Sequence, residues 1–100
     1  MTDKALLFVT ATPVPDGQVA MQEYLQNVMP LLLASGGTLL RRGAIQTVVE
    51  GSPEYKMVMV MEFENSEIAQ AVFTSDAYQA LKPVRDRGFS RIDISIAQPQ

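Results

Sequence analysis

The chain has 100 residues, 47% of them apolar, and a formal net charge of −3, which predicts one domain, residues 1–100, with a core running from about 5 to about 97. Cysteine and histidine are both missing, which excludes disulfides, thiolate catalysis, iron–sulfur clusters, and imidazole ligands or neutral-pH proton shuttles. The acidic balance argues against nucleic acid as a partner.

Residues 4–11 read as a first strand that is apolar on both faces. Thr12 to Gly17, with two prolines and an Asp-Gly pair, is a turn, and Asp16 is placed to cap the helix that follows. In that helix Met21, Tyr24, Leu25, Val28 and Leu32 recur at three and four residues and make one apolar stripe. Pro30 removes a backbone donor late in it. Gly36-Gly37 ends it by supplying left-handed conformations. A second strand is expected over residues 38–42, with a bulge at Gly43-Ala44 and a resumption over 45–50. Residues 51–54 form a hairpin loop into a third strand over 55–63.

That third strand is unusual. Met57, Met59 and Met61 lie on one side and Val58 and Val60 on the other, so both faces seek burial. Asn65 or Ser66 caps a second helix whose inner side is Ile68, Ala71, Val72 and Phe73. Thr74-Ser75-Asp76 interrupts it and caps a short helix through Ala77, Tyr78, Leu81 and Lys82, with Pro83 weakening its end. Gly88 breaks the chain. Residues 90–96 alternate cleanly as a last strand, and the tail 97–100 should fray.

The order strand, helix, strand, strand, helix, strand is the split βαββαβ arrangement. It predicts an α+β, ferredoxin-like fold: a four-stranded antiparallel sheet with helices on one face. The central strands are apolar on both sides, so the open face is predicted to pair with a second copy in a homodimer. The opening residues have no basic n-region and no apolar run reaches membrane-spanning length, so a cytoplasmic protein without membrane association is expected.

No established catalytic motif is present. There is no GxGxxG and no P-loop lysine, and a Ser-His-Asp triad is impossible without histidine. No Asp/Glu cluster shows ligand spacing, so neither a metal nor a cofactor is expected. All five arginines fall at Arg41-Arg42 or among Arg85, Arg87 and Arg91. They are either solvated strand-end charges or an anion site for a carboxylate or phosphate.

Polar residues at the ends of apolar elements are the candidates for chemistry: Arg42, Glu50, Glu62, Ser75, Tyr78 and Arg85. Glu62 continues the Val58-Val60 face at the edge of an apolar layer. It either pairs with Arg42, Arg85 or a backbone amide, or serves as a general base or ligand anchor in a cleft between sheet and helices. Tyr78 is either a core aromatic with a satisfied hydroxyl or a proton donor. The three methionines fill core or dimer space, with a pocket lined by them as the alternative.

Gly36-Gly37, Arg42-Gly43, Val49-Glu50-Gly51, Val60-Met61-Glu62-Phe63, Ser75-Asp76-Ala77-Tyr78 and Val84-Arg85, in that order and spacing, resemble the domain of unknown function 1330 family. The resemblance spans residues 7–96. It implies the ferredoxin-like fold and assembly into a dimeric α+β barrel, with Arg42, Glu50, Glu62, Ser75, Tyr78 and Arg85 as the recurrent polar positions. The chain departs from the family pattern at Glu64, where proline is usual, and at Val72-Phe73, where a tryptophan-like aromatic is usual. Members generally have no assigned activity.

Three functions are therefore carried forward. The first is a homodimer that binds a small polar or anionic organic molecule in a cleft between sheet and helices, with Arg42, Glu50, Ser75 and Arg85 as ligand contacts. The second, implied by fold likeness to cofactor-free monooxygenases and muconolactone-isomerase-like proteins, is an enzyme with Glu62 as base and Tyr78 as acid. The third is an interaction module with no ligand.

Overall fold

The structure is a computed structural model describing residues 4–99. Met1, Thr2, Asp3 and Gln100, the last belonging to the tail expected to fray, lie outside the described residues. Strand alternation sorts the central strands into two faces. On β1 (Ala5–Pro13), Ala5, Leu7 and Ala11 are buried while Leu6, Phe8 and Thr10 are half-buried. On β3 (Met57–Phe63), Met61 and Phe63 are buried against the helices, and Val58, Val60 and Glu62 take the other side. β2 (Thr38–Ala44) and β4 (Phe89–Ala97) complete the sheet, in the order β2-β3-β1-β4, with every pairing antiparallel. This is the ferredoxin-like topology the element order predicts.

All the helices lie on one face. Tyr24, Val28 and Leu32 of α1 (Gln18–Ala34) and Ala69 and Val72 of α2 (Ser66–Thr74) share one core cluster with Leu7, Ala11, Met61 and Phe63. Tyr78 of α3 (Asp76–Gln79) and Val84 of α4 (Lys82–Gly88) belong to the same cluster. The opposite face carries Leu6, Phe8, Val58 and Val60 with no helix over them.

Helix ends follow local chemistry, with two corrections. Gly36 has φ +87° and its N–H donates to Leu33 O at 3.0 Å, while Gly37 N–H donates to Leu32 O at 3.0 Å. That pair of bonds closes the carbonyl end of α1. Gly17, not Asp16, occupies the start of α1, without a side-chain capping bond. Pro83 opens α4 rather than weakening the helix before it, because the first turn has no need of the missing donor. Asn65 caps α2, its side chain accepting from Ile68 N–H at 2.8 Å. α4 is held close to α1 at Gly88, where a Cβ would stand 2.6 Å from Met21 N.

The second strand differs most from expectation. Its irregularity falls between Leu39 and Arg41, not at Gly43-Ala44, which stay paired with Val58 and Met57. Residues 45–50 do not resume the strand, because β3 offers no partner before Met57. Ile45 N–H donates to Lys56 O at 2.8 Å, and Lys56 N–H turns to Ala11 O at 2.9 Å. The connection beyond is fastened to the sheet's open side: Arg91 donates to Glu54 at 2.8 Å and sits 5.1 Å over the Tyr55 ring, whose hydroxyl donates to Asp93.

Candidate functional site: a cavity beneath the first helix

Two cross-strand rows form the floor of a hollow of about 330 Å³: Ala44, Met57, Ala11, Ile92 in one and Arg42, Met59, Val9, Ile94 in the other. The apolar stripe of α1, from Tyr24 to Leu32, is its roof, and Phe73 and Phe89 stand at its sides. Two alanines in the first row leave the space that longer side chains would fill. Among the described residues, Tyr24 and Arg42 alone bring a hydroxyl or a charge to this lining. Arg42 is exposed at the β2 rim and Tyr24 is 4% exposed in the interior.

A smaller hollow of about 290 Å³ lies alongside, lined by Gln70, Tyr78, Lys82 and Arg85, and shares Phe73 and Ile94 with the first. A chain of polar groups runs between the two. Arg85 Nη1 donates to the Tyr78 hydroxyl at 3.1 Å, and that hydroxyl is 3.1 Å from the hydroxyl of Tyr24. Edge-to-face packing fixes the rings: Phe73 on Tyr78 at 4.9 Å and Phe89 on Tyr24 at 5.8 Å between centroids. Burial, then the Tyr78 hydrogen bond, pushes the Tyr24 phenol well above its ordinary range. For Arg85, burial works to lower the guanidinium pKa, but its bonds to Tyr78 and Asp86 outweigh this and raise it.

The six candidate residues separate in space. Tyr78, Arg85 and Ser75 come together: Ser75 accepts from Tyr78 N–H at 3.2 Å and donates to Val72 O at 2.6 Å. Ser75 thus caps α3 and sets the start of the turn that carries Tyr78. Arg42 is brought to the rim of the larger cavity. Glu50 is exposed in the connection after β2. Glu62 is not brought to the space between sheet and helices. Because Met61 points into the core, Glu62 points to the open face, one-third exposed and 3.8 Å from Lys4 Nζ rather than beside an arginine. Tyr24 joins the site unannounced. Its position in the α1 stripe marks it as core, and the one signal was a phenol among aliphatics, whose hydroxyl needs a partner when buried.

The model of the family described as Domain of unknown function (DUF1330) matches residues 6–98. The chain belongs to that family. No curated protein matches this DUF1330 chain. Among solved structures, RPA0582 from Rhodopseudomonas palustris, a protein of unknown function, superposes with TM-score 0.80 at 14% identity, covering 100% of this chain and 85% of its own. A dimeric protein of unknown function and ferredoxin-like fold from Bacteroides fragilis gives TM-score 0.64 at 12% identity, covering 96% of each chain. SnoaB from Streptomyces nogalater, a cofactor-independent oxygenase, gives 0.68 at 5% identity, covering 99% of this chain and 95% of its own. At these identities the likeness is one of fold. Among the described residues of this DUF1330 protein, no group of three or more acidic side chains could hold a metal ion, and no helix is long and apolar enough to cross a membrane.

Proposed function

We propose that the protein binds a small organic molecule, apolar over most of its surface with one polar or anionic group, in the cavity beneath α1. The observation that carries this is the hollow of about 330 Å³ itself, within the size range of small-molecule sites and of their usual make-up, an apolar lining with few polar groups. A hollow of this size and apolar lining favours ligand binding over a ligand-free interaction module. An enzyme built on Glu62 in this space is not supported, since Glu62 lies on the sheet's other face.

The test is a thermal-shift and calorimetric screen of aromatic and aliphatic carboxylates and phenols against the wild type and Ala11→Leu. Ala11 is 3% exposed on the cavity floor, so the longer side chain takes ligand space. Ligands are expected to raise the melting temperature of the wild type and not of the variant. A screen in which no compound shifts the wild type removes this reading.

The protein also acts as a homodimer on this reading, with the open sheet face buried against a second copy. Leu6, Phe8, Val58 and Val60 form a central apolar band there, which a solvated monomer face seldom carries. The Bacteroides fragilis protein of ferredoxin-like fold is dimeric, which supports assembly into a dimer.

A further inference from the structure

Tyr24 and Tyr78 each carry one hydroxyl proton, and their 3.1 Å contact uses one of the two. Arg85 already donates to the Tyr78 oxygen. Either hydroxyl can donate across that contact, so one proton of the pair is left over. That leftover proton has no acceptor among the described residues, and of the two tyrosines Tyr24, 4% exposed, is the one that lines the apolar cavity. Buried donors are normally paired.

We propose that the Arg85–Tyr78–Tyr24 chain is a hydrogen-bond anchor for the cavity's ligand, selecting molecules that present one accepting oxygen (phenolic, enolic or carboxylate) on an otherwise apolar frame. This rests on the reading of the cavity as a binding site. Arg85 lines the neighbouring hollow and not this one. Its charge therefore reaches the ligand through two hydroxyls, polarising the Tyr24 proton while keeping a bare guanidinium out of the apolar space. Arg42, exposed at the rim, is hydrated and discriminates less.

The experiment compares 2-naphthol with 2-methylnaphthalene, which differ by a hydroxyl in place of a methyl group, using ligand-observed NMR titrations. The wild type is expected to bind the naphthol at least about tenfold more tightly, and each tenfold step corresponds to about 1.4 kcal/mol. In Tyr24→Phe the ratio is expected to fall to near one, with 2-methylnaphthalene affinity unchanged. Arg85→Met, on a side chain 20% exposed, is expected to reduce the ratio while leaving the fold intact, which keeps the test independent of any folding defect in Tyr24→Phe. A ratio near one in the wild type, or an undiminished ratio in both variants, overturns the anchor while the cavity reading stands. If the wild type binds neither compound, the anchor falls, and the broader screen decides the cavity reading separately.

Discussion

A phenol buried as deeply as Tyr24 makes stability depend on alkali. Its pKa in the folded chain lies above the ordinary value of 10.0. Below that value both folded and unfolded chains keep the proton, and the group adds no slope. As pH rises past it, the unfolded chain releases its proton first, so stability falls. Urea midpoints are expected to drop from about pH 9 to about pH 11, and to drop less steeply in Tyr24→Phe. An equal decline in the variant would assign the effect to other groups. At neutral pH, Tyr78→Phe loses the bonds to Tyr24 and Arg85 and is expected to cost about 1–3 kcal/mol. Glycine 88 is a second residue-scale control. A Cβ there would meet Met21 backbone atoms at 2.6 and 2.7 Å, and since backbone cannot swing aside, Gly88→Ala is expected to cost about 1–3 kcal/mol in the same assay.

Among the elements, α3 has the most to do with the site for its length. Four residues, Asp76–Gln79, hold Tyr78, and the turn depends on Ser75 accepting from Tyr78 N–H. Ser75→Ala is expected to lower stability by about 1 kcal/mol with an unchanged denaturant slope. A change much below that would mean that tertiary packing alone holds the turn. The same scale explains why β2 stops at Ala44. Residues 45–50 have strand-like composition, but a strand also needs a partner in register. β3 begins only at Met57, so after Ile45, whose N–H still bonds Lys56 O, the ladder has no further strand to follow. The helix stripe, the Gly36-Gly37 stop and the Asn65 cap were legible because each is decided within a few residues of chain.

For the whole molecule, the apolar band on the open face sets the expected assembly. Phe8→Glu or Val60→Lys places a charge in that band, and either is expected to convert a wild-type dimer to a folded monomer. Sedimentation with circular dichroism checks both statements. A wild type that sediments as a monomer at micromolar concentration would remove the dimer. The two-faced character of β3 could be read directly from Met57 to Phe63, and the order of elements pointed to the sheet, but which face the helices cover, and so the side on which Glu62 falls, came from the packed layers. The cavity could not be read from sequence, because it depends on which alanines share a cross-strand row.

The sequence by itself determined the order of elements, how each strand's residues divide between two faces and the membership of the family, because alternation, helical period and turn chemistry are local. It also isolated Arg42, Glu50, Glu62, Ser75, Tyr78 and Arg85 as polar residues at the ends of apolar elements. Only the tertiary structure decided which of these meet. Tyr24 and Tyr78 are 54 positions apart, and the row Ala44, Met57, Ala11, Ile92 draws on four strands. Long-range pairing of that kind is fixed by how the layers pack, and it moved the candidate chemistry from Glu62 on the open face to a chain of hydroxyls inside.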